Sequence, residues 1–258
     1  MELNVEKVIS FVLSREAAEG GFSFAQTTPR TLDDTYYALR TLELLGYDYQ
    51  SQKTLEYIKG IWIDRFTPAK IVYQATYLFR LLHTDCHSRL ADLIALKLSS
   101  SDYSLKDLYF LLSSLRYLHS APKINPMLRS QITRLSILDL RTMDNVLRQL
   151  LLMHQLHIPF DRTTYVEWIK RSQNGDGGFG FYPGTSSFLE NTYYALKALS
   201  VLGSEPVDLQ GCREFVRSCQ ASNGGFGRQS ITVPRLDSTY HAVFSLLRLE
   251  KYGTSRCT

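Results

Sequence analysis

Apolar residues recur with the 3.6-residue spacing of an amphipathic helix in six stretches, beginning near residues 32, 70, 104, 142, 188 and 235. Before each lies another helical stretch, at roughly 3–17, 51–63, 86–100, 124–138, 161–172 and 207–220, several opened by Asp, Ser or Pro near the first turn. Twelve helices therefore alternate as six hairpins, each with a leading and a trailing helix, and strand content is expected to be close to nil. Six repeated hairpins bury their trailing helices best by closing into a double ring, trailing helices inside and leading helices outside. An open solenoid of six hairpins is the alternative.

The repeat is explicit in three places, Gly20-Gly21-Phe22, Gly177-Gly178-Phe179 and Gly224-Gly225-Phe226. In each copy a Thr follows the Phe by thirteen positions, inside the pattern Leu-acidic-x-Thr-Tyr-Tyr/His-Ala or its close variant, at Leu32–Ala38, Leu189–Ala195 and Leu236–Ala242. The intervening stretches 70–83, 104–119 and 142–157 keep only the periodicity. Paired glycines turn the chain between leading and trailing helices, and the Phe anchors the turn. The acids at the trailing-helix starts, Asp33, Asp34, Asp107, Asp144, Glu190 and Asp237, suit the orphan amides and positive dipole end of a first turn.

Composition narrows the reading. The chain of 258 residues is 44% hydrophobic and 21% charged, enough for one closed core over residues 1–258. Its formal charge of +4 is spread along the chain, which gives no electrostatic case for nucleic acid. Cys86, Cys212, Cys219 and Cys257 form no C-x-x-C pair, and the first residues carry no signal-peptide core, so a reduced cytoplasmic setting is expected. No apolar run is long enough for an integral membrane segment, and Cys257 stands too near the end for a prenylation box.

At the segments Gln173-Asn-Gly-Asp-Gly177-Gly178-Phe179 and Gln220-Ala-Ser-Asn-Gly224-Gly225-Phe226, each followed by a Pro (Pro183, Pro234) and an acidic-x-Thr-Tyr helix, the chain resembles protein prenyltransferase β-subunits and the squalene-hopene and class II diterpene cyclases. The resemblance implies an all-α fold, the α6/α6 toroid, whose aromatic-lined cavity takes a prenyl diphosphate or polyprenyl chain. It implies either a separate helical α-subunit or a second copy as partner. Tyr36, Tyr193, Tyr240 and Phe244 are then expected to hold the isoprenoid tail, and Arg30 and Arg141, near helix N-termini, its diphosphate. Asp237 and His241 complete the expected substrate-binding set.

The family's metal and acid motifs are incomplete here. Prenyltransferases hold zinc through Asp-x-Cys and a later His, whereas this chain has Asp33-x-Thr35, Glu190-x-Thr192 and Asp237-x-Thr239, with His241 one position beyond the family His. A threonine offers no thiolate, so zinc is not expected, and Mg²⁺ enters only as companion to a diphosphate. Thr31-Leu32-Asp33-Asp34-Thr35 resembles the cyclase Asp-x-Asp-Asp-Thr, making Asp33, with Asp34 beside it, the candidate proton donor. His83, His119, His154 and His157, with Cys86 and His87 near, form a further constellation at helix C-termini, where the dipole favours cations in any case. Two other readings compete. One is a toroid that lost the chemistry and serves as a binding or scaffold module. The other is a carbohydrate-active enzyme using paired carboxylates such as Asp33 and Asp237.

Overall fold

The computed structural model describes residues 3–83, 87–99, 103–120, 126–134 and 140–254. Cys86 and Cys257 lie outside them, as do parts of the leading helices expected at 86–100 and 124–138. Among the described residues the chain forms helices and no strand; five isolated bridging pairs, such as Phe22 with Thr31, tie the glycine turns. The leading helices are α1 (Val5–Leu13), α3 (Gln52–Lys59), α5 (His87–Leu98), α7 (Pro126–Arg134), α9 (Arg162–Arg171) and α11 (Leu209–Ser218). The trailing helices are α2 (Leu32–Leu44), α4 (Ala69–Leu81), α6 (Leu105–Tyr117), α8 (Met143–Gln155), α10 (Leu189–Val201) and α12 (Leu236–Thr254). Every trailing helix starts within one residue of the position its periodicity predicts.

The fold divides into two compact units. The first comprises residues 1–14, 37–48 and 135–258; in it α10 packs between α8 and α12, with α11 against α12. The second comprises residues 15–36 and 49–134, where α4 packs on α6, and α3 and α5 pack on these trailing helices.

The thirteen-residue phase has a specific cause. Thr35, Thr192 and Thr239 are fully buried, and each hydroxyl accepts the backbone N–H of the Phe thirteen positions back, at 2.9, 3.0 and 3.1 Å. The same hydroxyl donates to a carbonyl one turn earlier in the chain, that of Thr31, Phe188 or Arg235. Each threonine therefore staples a glycine turn to the start of its trailing helix. Phe22, Phe179 and Phe226, fully buried, each add about 1.5–3 kcal/mol of hydrophobic stabilisation.

The glycines ahead of the Phe set how closely the next helix approaches. Gly20, Gly177 and Gly224 have φ of 82°, 84° and 92°, and a Cβ there would lie 2.3, 2.0 and 2.4 Å from the backbone of Lys53, Gly211 and Lys7. The second glycine of each pair faces an aromatic ring on the same helix, Tyr57, Phe215 or Phe11. The third of these contacts joins the sixth hairpin to α1 within the first unit, so the two ends of the repeat array meet there.

Among the described residues α1, α3, α5, α9 and α11 stop earlier than their apolar periodicity suggests. Gly60 ends α3, and Ile61, Trp62 and Ile63 continue as a loop. Here Asp64 accepts the N–H groups of Phe66 and Thr67 and the Thr67 hydroxyl, a local bonding pattern that competes with helix.

The trailing helices α2, α4, α6, α8 and α10 end alike, on a left-handed residue: Gly46, His83, His119, His157 and Gly203, with φ between 51° and 67°. Schellman pairs close the ends of α2, α6, α8 and α10, such as Ser120 N–H to Leu115 C=O and His119 N–H to Arg116 C=O. Three of the four constellation histidines thus stand where the chain needs a left-handed cap, and all four are exposed. Among the described residues no group of three or more His, Cys, Asp or Glu is arranged to hold a metal.

Candidate functional site

Successive residues of the trailing helices repeat in register. The position after each threonine or its equivalent is Tyr36, Tyr73, Tyr109, Leu147, Tyr193 and Tyr240; the next is Tyr37, Gln74, Phe110, Arg148, Tyr194 and His241. These two positions carry most of the candidate chemistry.

In the first unit they converge. The Tyr193 and His241 rings stack with centroids 4.5 Å apart and planes 23° apart, and both side chains are buried. Phe244 and Tyr240 meet Tyr193 edge-on at 4.9 and 5.7 Å, while Tyr37 meets His241 edge-on at 5.7 Å. Two cations border the cluster. Lys197 donates to the Tyr193 hydroxyl at 3.1 Å, and the Arg40 guanidinium lies 4.8 Å above the Tyr240 ring. The predicted residues Tyr193, Tyr240, His241 and Phe244 are therefore one contiguous aromatic group.

Charges gather at the first turns of α8, α10 and α12. Asp144 pairs with the buried Arg148, Glu190 receives both nitrogens of a fork from Arg228, and Asp237 accepts from Arg235 at 3.1 Å. Burial pushes the Tyr194 phenol above its ordinary range; the carboxylate of Asp144 adds to this, Arg148 opposes it, and Glu190 and Asp237 add more. The Glu190 pair in turn raises Arg228. Arg141, also predicted here, is exposed just before α8 in a left-handed conformation with φ of 55°.

In the second unit Tyr36 is buried against Tyr73 and Tyr77, with centroids 5.9 and 5.3 Å away. The hydroxyls of Tyr36, Tyr73 and Tyr117 form a chain with steps of 3.2 and 3.1 Å. Asp33 accepts from Lys70 Nζ at 2.6 Å, with both side chains 42% exposed, and from the buried Gln74 amide. That is the setting of an ion-paired carboxylate rather than of an acid sealed in an apolar pocket. Asp34 accepts the Thr31 hydroxyl at 2.7 Å and returns its own N–H to it, closing a helix cap. Arg30 donates to the Glu19 and Gly20 carbonyls and lies 4.3 Å over the Tyr57 ring, so its guanidinium braces the first glycine turn.

Gln74, Arg148 and Lys197 were not among the predicted site residues. The register identifies the first two, since each occupies the place of Tyr37; Lys197 carries no motif and is found one turn beyond Tyr193.

A zinc site would need donors that these residues have already committed. Thr192 is bonded on both sides to the backbone, Glu190 is held by Arg228, and His241 is packed among aromatic rings.

The prenyltransferase alpha-alpha toroid domain matches residues 1–65, 78–210 and 185–257 of this chain. No curated protein matches. Among solved structures, Candida albicans protein geranylgeranyltransferase-I complexed with GGPP is similar at 14% identity, over 98% of this chain and 93% of that one, with a TM-score of 0.44. No helix among the described residues is long and apolar enough to cross a membrane. The domain match extends through the middle hairpins, which periodicity alone had marked, and the chain belongs to the prenyltransferase alpha-alpha toroid family.

Proposed function

We propose that the protein binds an isoprenoid chain against the aromatic group of its first unit, Tyr37, Tyr193, Tyr240, His241 and Phe244. The observation that carries this reading is the geometry of the group: the buried Tyr193 and His241 rings stack, and Phe244, Tyr240 and Tyr37 stand edge-on around them. Stacked and edge-on rings offer π faces and apolar edges to a polyene, and the Tyr193 hydroxyl is paired with Lys197. Each methylene buried contributes roughly 0.8 kcal/mol, so the tail dominates affinity. A diphosphate head would meet acids already matched by Arg148, Arg228 and Arg235, which leaves exposed Arg141 as its partner in this unit, with Mg²⁺ as companion ion.

Calorimetry with geranylgeranyl diphosphate and geranylgeraniol tests the reading. Both should bind; Tyr193→Trp should weaken both, and Arg141→Ala should weaken the diphosphate more than the alcohol. Absence of heat from either ligand at high micromolar protein overturns it.

A second reading, binding without zinc-dependent transfer, is favoured by one observation. The three threonines at the family's cysteine position are bonded into the fold and serve the glycine turns. Diphosphate release from a prenyl diphosphate, followed with and without added zinc, separates the two: release that requires zinc defeats the second reading.

A further inference from the structure

The loop between α3 and α4 departs from ordinary surface chemistry, and nothing in the proposed isoprenoid site uses it. Trp62 is 71% exposed and Phe66 76%, and Leu96 on the neighbouring α5 is 60% exposed. Trp62 and Phe66 share one loop, and Phe66 and Leu96 line one hollow, so these exposed apolar side chains are grouped in the way that marks an interaction face. The loop is also held in place. Asp64 makes three bonds to Phe66 and Thr67, and Lys97 of α5 reaches across to the carbonyls of Arg65 and Thr67, both at 2.7 Å. Those bonds keep Asp64 ionised below its usual range, the Thr67 hydroxyl contributing most.

Basic groups accompany each exposed ring. The Arg89 guanidinium lies 5.1 Å from the Trp62 centroid and that of Arg65 lies 4.6 Å from Phe66. Beside Trp62 a hollow of about 440 Å³ is lined by apolar side chains and by Lys59, His83 and Arg89, with no acid. Beside Phe66 a second hollow of about 600 Å³ is lined by Arg65, Lys97 and apolar groups, with Asp107 its one carboxylate, already bonded to Ser104.

We infer that this face docks on an anionic lipid bilayer, with Trp62, Phe66 and Leu96 entering the headgroup layer while Lys59, Arg65 and Arg89 meet acidic headgroups. Trp favours the membrane–water boundary because its ring can lie in acyl chains while its indole N–H stays wet, and Phe and Leu supply the apolar face that inserts beside it. The cationic surround complements the negative surface potential of acidic lipid, which neutral lipid lacks. A rigid loop presents its rings without a further ordering cost, as a docking element should.

Trp62 supplies the assay. The protein has two tryptophans and Trp168 is buried, so a change in emission on docking reports Trp62. Purified protein is mixed with vesicles of phosphatidylcholine alone, or containing about 30% phosphatidylserine, at about 0.1 M and about 0.5 M salt. Sedimentation with the acidic vesicles, a blue shift of emission and loss of both at high salt are expected. Arg65→Glu and Arg89→Glu should each lower partitioning by more than about fivefold, the loss expected for one cation, since each also introduces a repelling charge. Phe66→Ser should lower partitioning while leaving the helical circular dichroism intact, and Trp62→Phe should abolish the blue shift. The inference is overturned by equal binding to both vesicle types or by binding to neither. It is equally overturned if the free protein self-associates through Phe66, or if decanoate below its micelle concentration shifts the emission while acidic vesicles do not bind.

Discussion

Replacing Thr192 by Val keeps the shape of the side chain and deletes one oxygen with two bonds. The Phe179 N–H, at 3.0 Å, loses its acceptor in a fully buried place, while the Phe188 carbonyl keeps its bond from the Thr192 backbone N–H. A buried donor left unmade costs about 1–3 kcal/mol. For a chain of this size that lowers the melting temperature by about 2–12 °C, each kcal/mol shifting it by about 2–4 °C. Calorimetric melting of wild type, Thr192→Val and Thr192→Ser measures it, with urea midpoints as a second probe. Thr192→Ser keeps the oxygen and should lose only the small packing of a methyl group. If Val melts like wild type while Ser is destabilised, the methyl rather than the hydroxyl holds the turn, and the account of the thirteen-residue spacing fails.

Gly177→Ala should destabilise far more than Gly184→Ala: both have positive φ, but the new Cβ meets the Gly211 backbone in the first case and open space in the second, a contrast that urea midpoints resolve. His119→Gly should leave the fold intact and raise stability by about 1 kcal/mol, since the left-handed cap strains a residue with a Cβ; a fall in melting temperature would contradict the capping role. Stability should decline as pH rises through 9 to 12. Burial pushes the Cys212 and Cys219 thiols up to about 12 and about 11, and burial with Glu16 pushes Tyr49 up to about 12. The unfolded chain therefore releases these protons first and is favoured by alkali. A melting temperature that stays flat to pH 11 would count against that.

The trailing helices were legible because their apolar stripe and the glycine–phenylalanine–threonine spacing arise from one physical cause, a staple that only that separation can close. The leading helices were legible in place but not in length. Ile61, Trp62 and Ile63 continue the apolar pattern, and only the bonds that Asp64 makes show that the chain has left the helix. The histidines were legible by place, at helix C-termini, but not by cause: His83, His119 and His157 share a backbone angle that glycine supplies in the equivalent places. Of the candidate site, the aromatic group on α10 and α12 was readable from register. Arg30 was named from its place before α2, but its bonds to the Glu19 and Gly20 carbonyls and its seat over Tyr57 appear only in the fold.

The contact between Gly224 and Lys7 bears on how the chain is made. α1 leaves the ribosome well before the turn that packs on its backbone. At about 5–20 residues per second, the separation from Lys7 to Gly224 amounts to roughly 10–45 s during which Phe11 has no glycine to rest on. Until then the apolar stripe of α1 is exposed to chaperones and to other nascent chains. Synthesis halted before residue 226 should therefore leave α1 sensitive to protease, and protection should arrive only with the glycine turn of the sixth hairpin.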